Sequence, residues 1–272
     1  MQWSDLERSF SRAVLFSFSK KKLLLAFPVL VLCGIFTVFC RAIAIGAGNW
    51  ISMSLAFLPI LLSSGVLLAL GVLLIRIYLY EVKNIELSFD QFIKGSLDLM
   101  MGTSYLSVPP ILIYLLLWIL LGFFFLLGEI PGIGDFFSVV FAFGPFLLIL
   151  GSLLLCLLNL ALLFFVTPAA ALRPLSKNSL GKKVLLSFQG KMLSSIALFL
   201  IALVPIIFVS ALLSLSAILT NLQLGSERSL AVVMEWFFIM LPFCALLTPS
   251  IVFFFNFAAE SYHLLQTKSA LQ

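Results

Sequence analysis

The chain has 272 residues, of which 63% are hydrophobic and only 10% are charged. Soluble domains are roughly half apolar and a quarter charged, so this composition excludes an ordinary water-surrounded globule. The formal net charge of +5 could suit nucleic acid, but the basic residues are sorted along the chain in a way that a membrane explains better.

The first segment, Ser4–Ser19, reads as a short amphipathic helix. Trp3, Leu6, Phe10, Ala13 and Val14 share one face, while Asp5, Arg8, Ser9 and Arg12 take the other. Ser4, Asp5, Leu6 and Glu7 match a capping box. Then come six continuous apolar runs: Leu23–Ile45, Ile51–Tyr80, Tyr105–Gly128, Phe136–Val166, Met192–Leu219 and Leu230–Ala258. A bilayer core about 30 Å thick needs about 20 apolar residues per helical span, and all six qualify. None alternates with period two, so the spans are expected to be helices rather than barrel strands.

The start of the first run has some features of a secretory leader, with Lys20, Lys21 and Lys22 before it and Ala42, Ile43 and Ala44 after it. Its apolar stretch is longer than such leaders use, and an uncleaved first span is expected. The four cysteines, Cys33, Cys40, Cys156 and Cys244, lie inside spans and form no C-x-x-C; free cysteine in that setting acts as a small hydrophobe.

Two more amphipathic segments precede later spans. Ser88–Met101 places Phe89, Phe92, Ile93, Leu97 and Met100 at helical spacing. Ser179–Lys191 places Leu180, Val184 and Phe188 on one face. The even spans echo one another around Pro59, Pro145 and Pro242, which suggests pseudo-repeats over 1–80, 81–175 and 176–264. The expected fold class is all-α: a polytopic membrane protein of six transmembrane helices in three hairpins, each preceded by a short cytoplasmic amphipathic helix. A single integral membrane domain then covers 1–272.

Charge sets the orientation. With the N-terminus inside, 14 of the 16 Lys and Arg residues fall on the inner side, and only Arg41 and Arg228 lie outside. Cytoplasmic loops collect Lys and Arg, so both termini are expected in the cytoplasm of a cell (inner) membrane. Lys20, Lys21, Lys22, Arg173, Lys177, Lys182, Lys183 and Lys191 are candidate contacts for anionic lipid headgroups, which attract such residues by about 1 kcal/mol each near the surface.

Ionisable groups within a bilayer are functional candidates by default. Arg41 and Glu235 sit at matching depth near the outer ends of the first and last spans. They read either as an ion pair closing the bundle, as two side chains reaching separately for the interface, or as part of a binding or transport site. Asn159 and Asn256 are the other polar groups at depth; amides there commonly bond across helices, and a polar transport path is the alternative. Glu81, Glu86, Asp90 and Asp98 could supply a carboxylate pair, but an exposed amphipathic helix explains them more simply. One histidine, His263, cannot make a His-rich metal site. No G-x-S-x-G elbow or phosphate-binding glycine loop occurs. No catalytic residue, metal or cofactor is expected.

Inner amphipathic segment followed by proline-containing span, as carried by Ser4–Leu32, Ser88–Leu115 and Ser179–Val204, resembles the six-span bacterial membrane families related to the membrane domain of glycerophosphodiester phosphodiesterases. The resemblance covers nearly the whole chain and implies no catalytic residue, since no hydrolase domain accompanies it. The expected function is a non-enzymatic membrane protein that interacts with lipids or serves as an accessory or scaffold subunit. Its partners would be membrane lipids and another membrane protein, not nucleic acid. A transporter or channel for small solutes or lipids is the alternative.

Overall fold

The computed structural model describes residues 3–45, 49–84, 100–128, 130, 132–172, 192–220 and 230–269. Within them seven α-helices are bounded: α1 (Trp3–Leu15), α2 (Lys20–Ala44), α3 (Asn49–Val82), α4 (Val108–Gly128), α5 (Ile133–Leu172), α6 (Met192–Leu219) and α7 (Leu230–Ser269). There is no strand among the described residues. Six of the helices, all but α1, are long and apolar enough to cross a bilayer. The all-α, six-span expectation therefore holds, and the chain is an integral multi-pass membrane protein.

Local chemistry explains where the elements stop. Asp5 lies in the first turn of α1 and Arg12 in its last, each complementing the helix dipole. A 3-10 turn, Phe16–Phe18, and an extended Ser19 (φ −62°, ψ 123°) then redirect the chain into α2. Two residues past the end of α3, Asn84 takes a φ of +51°, the left-handed geometry that asparagine tolerates better than most residues. A second 3-10 turn, Tyr105–Ser107, leads into α4, with Pro109 and Pro110 in the first helical turn, where a missing N–H breaks no helical bond. Gly132, at φ +85°, supplies the turn between α4 and α5. The expected amphipathic segments Ser88–Met101 and Ser179–Lys191 fall almost wholly outside the described residues.

The spans pack in consecutive pairs: α2 on α3, α4 on α5, and α6 on α7. Beyond these pairs, α3 packs on α5 and α7 packs on α2, α3 and α5. α3 and α7 are thus the central helices, with 61% and 39% of their apolar windows buried against 28% or less for the rest. Glycine makes a close crossing of α3, α5 and α7 possible. A Cβ on Gly71 of α3 would overlap the ring of Phe255 on α7 and stand 2.7 Å from Thr167 Cγ2 on α5. Around this crossing lies the main core, with Leu68, Leu74, Tyr78, Phe164, Phe254 and Phe257 among its buried members.

α1 lies against α7. Phe10 sets its ring edge-on to Phe253 and Phe257, with centroids 5.2 and 6.1 Å away. Ser9, Ala13 and, in the following turn, Ser17 are buried. The sequence stripe is therefore displaced: Val14, expected on the apolar face, is partly exposed, while Ser9, expected on the polar face, is covered. A neighbouring helix, rather than lipid alone, determines which side of α1 is buried.

Candidate functional site

The chain concentrates buried charge at one end of the bundle, where α1, the start of α2 and the ends of α3 and α7 meet. Lys22, in the first turn of α2, has no exposed surface. Its ammonium lies 2.7 Å from Glu81 Oε2 in the last turn of α3. The same nitrogen donates to the carbonyl of Phe16 at 3.2 Å and to Asn256 Oδ1 at 3.4 Å. The rings of Tyr78 and Phe16 stand over it, with centroids 4.8 and 5.6 Å away. A buried ammonium is tolerable only with such a full set of partners.

The surrounding groups knit the four elements together. Ser19 Oγ donates to the other Glu81 oxygen at 2.7 Å, so the residue before α2 spends its hydroxyl on α3 instead of capping its own helix. Asn256, fully buried in α7, turns its amide nitrogen to the Ala13 carbonyl at 3.4 Å and to Ser17 Oγ at 3.5 Å. The Tyr78 hydroxyl donates to Glu260 Oε1, and Arg12 approaches that same oxygen at 3.5 Å. Two cations, Lys22 and Arg12, therefore face two carboxylates, Glu81 and Glu260. The formal charge of the cluster cancels.

This arrangement corrects two sequence expectations. Lys22 was grouped with Lys20 and Lys21 as a headgroup contact, yet its ammonium is enclosed by protein; Lys20 and Lys21 are exposed. Lys22 faces inward because it starts the helical stripe that continues through Ala26 and Leu30, both buried. Glu81 was placed on a solvated amphipathic face, but its side chain is only 20% exposed and is ion-paired. Glu86, Asp90 and Asp98 lie outside the described residues, as do Arg173, Lys177, Lys182, Lys183 and Lys191. Tyr78 and Glu260 were not singled out from sequence, because each lies in an apolar run or a polar tail with no local motif.

At the opposite end Arg41 and Glu235 are both exposed, and no ion pair joins them. The Arg41 guanidinium instead sits 4.9 Å from the ring centre of Trp236. The first and last spans are neighbours, and Arg41 meets the residue that follows Glu235. On a helix, however, the next residue points about 100° away. Asn256 bonds across helices as expected. Asn159, only 3% exposed on α5, does not: neither its amide oxygen nor its nitrogen has a hydrogen-bond partner in the protein. Ser152, two turns away on the same face, is likewise buried without a partner.

Among the described residues no three of His, Cys, Asp or Glu converge as a metal site would require. The chain matches no protein-family model, no curated protein and no solved structure.

Proposed function

We propose that this chain is a non-enzymatic membrane protein that acts as a lipid-facing scaffold or accessory subunit in the cell (inner) membrane, with both termini cytoplasmic. The observation that carries the reading is the cluster around Lys22. Its charges are balanced, and its bonds tie α1, α2, α3 and α7 into one closed end. Such a cluster holds helices in register; it presents no unmatched charge to a substrate. Exposed apolar side chains cover α4 and α6, as at Leu116, Ile119, Leu200 and Phe208, which suits a body whose outer faces meet lipid or another membrane protein. Lys20 and Lys21, exposed beside the cluster, would meet anionic headgroups there.

The experiment combines orientation with activity. Ile130→Cys, at the exposed turn between α4 and α5, and a cysteine added after Gln272 are labelled with a membrane-impermeant maleimide in intact cells. The turn is expected to react and the tail to stay protected; the reverse overturns the orientation and the headgroup assignment with it. Copurification of one stable partner in mild detergent supports the accessory role.

One observation favours a transporter as the second reading: Asn159 and Ser152 are buried without partners on one face of α5, a polar feature within an apolar bundle. Solute or lipid flux in proteoliposomes that Asn159→Leu abolishes would establish that reading in place of the scaffold.

A further inference from the structure

Beside the helix break that precedes α4, α3 and the chain leading into α4 leave an open slot on the outer surface of the bundle. Leu62, Val66 and Ala69 of α3 form one wall, and Met101, Tyr105 and Val108 form the other. Gly65, Met100, Ser104 and Ser107 complete the lining. A 3-10 turn replaces regular helix at Tyr105–Ser107 beside the slot, and the missing side chain at position 65 lets that turn come close to α3. A Cβ there would stand 2.6 Å from Ser107 Oγ.

We infer that this slot holds one acyl chain of an anionic membrane phospholipid, an inference that rests on the lipid-facing membrane reading above. Three observations select that occupant. First, the serine hydroxyls of the lining are already engaged: Ser104 Oγ donates to the Met100 carbonyl at 2.8 Å and Ser107 Oγ to the Ser104 carbonyl at 2.7 Å. A hydrated solute would find its polar groups unanswered there, whereas a hydrocarbon chain loses nothing. Second, the slot opens sideways through partly exposed Val66, Met101 and Tyr105, between two segments long and apolar enough to span a bilayer, at the middle of the first and the start of the second. The slot's α3 wall, Leu62 to Ala69, spans about 10 Å at 1.5 Å per residue. A lipid chain runs in the same direction. Third, Arg76 continues the same face of α3, two turns beyond Ala69 towards the end that carries Lys22. That places the Arg76 Cα about 10 Å past Ala69, on the side where a headgroup would emerge, and a guanidinium, with five donors, suits phosphate geometry.

The test uses the intact protein in nanodiscs of mixed phosphatidylglycerol and phosphatidylcholine, each carrying a photoactivatable acyl chain in turn. Adducts on the wild-type protein are expected to concentrate on residues 62–69 and 101–108, with phosphatidylglycerol favoured. Ala69→Phe, which fills the slot, should cut that labelling about tenfold, equivalent to about 1.4 kcal/mol. Ile207→Phe, on the exposed face of α6, should leave it unchanged, and Arg76→Gln should remove the headgroup preference. Adducts spread evenly over the exposed faces of α4 and α6 would overturn the inference, as would equal labelling of wild type and Ala69→Phe. Should Ala69→Phe fail to fold, the wild-type adduct map decides alone. Even labelling with the turn and tail oriented as proposed sinks the slot only, while a reversed orientation sinks the underlying reading.

Discussion

Lys22 Nζ and Glu81 Oε2 stand 2.7 Å apart, the first with no exposed surface and the second from a side chain 20% exposed. Removing one member of a buried ion pair strands the other and costs about 3–5 kcal/mol. Lys22→Met and Glu81→Leu are each expected to lower thermal stability in detergent sharply. The double variant Lys22→Met/Glu81→Leu should regain at least half of that loss, because no uncompensated charge then remains. A double variant as unstable as the sum of the singles would mean that the two residues act independently. The Arg12–Glu260 contact, with Arg12 43% exposed on its side chain, should matter far less.

The two deep asparagines should behave oppositely. Asn256 serves Lys22, Ala13 and Ser17, so Asn256→Leu leaves those groups unmet and costs about 1–3 kcal/mol. Asn159 has no protein partner, and Asn159→Leu should leave stability unchanged or raise it. Parallel unfolding curves of the two variants check the contrast. Equal destabilisation would contradict the geometry at Asn159.

At the other end, a charge swap of Arg41 and Glu235 should give no rescue, since the two are not paired. Arg41 should couple instead to Trp236 by about 0.5–1 kcal/mol, the range for an exposed cation over an aromatic face. A double-mutant cycle with Arg41→Gln and Trp236→Leu measures this, and the matching cycle with Glu235→Gln should lie near zero.

Gly71→Ala tests the central crossing. A methyl group there meets Phe255 and Thr167 from two different helices, and overpacking of this kind costs about 1–3 kcal/mol. Phe255→Leu should recover part of the loss when combined with Gly71→Ala. Gly122→Ala, where a Cβ meets nothing, serves as the neutral comparison.

The spans were legible because length and continuous hydrophobicity are properties of single segments. Side-chain direction was less so. Lys20, Lys21 and Lys22 are identical in a charge count, yet one helical position decides which of them faces α3 and α7. Its partner Glu81 comes 59 residues later, and nothing local announces the pairing. Arg41 shows the same limit from the other side: depth along an axis can be counted from the sequence, whereas rotation about it depends on how the neighbouring helix is turned. Ser9 and Val14 exchange their expected roles for the same reason, since α7 and not a uniform solvent sets which side of α1 is covered. The slot beside Gly65 had no sequence signal beyond the proline pair that follows it.

The bonds from Asn256 back to Ala13 and Lys22 bridge 243 and 234 residues, which has a bearing on biogenesis. The ribosome adds 234 residues after Lys22 before the amide that completes the lysine's shell exists. Until then the first two spans can pair through Glu81, but the leading helix has nowhere to dock. Nascent chains halted before residue 256 should therefore keep α1 open to protease, and those released after it should not.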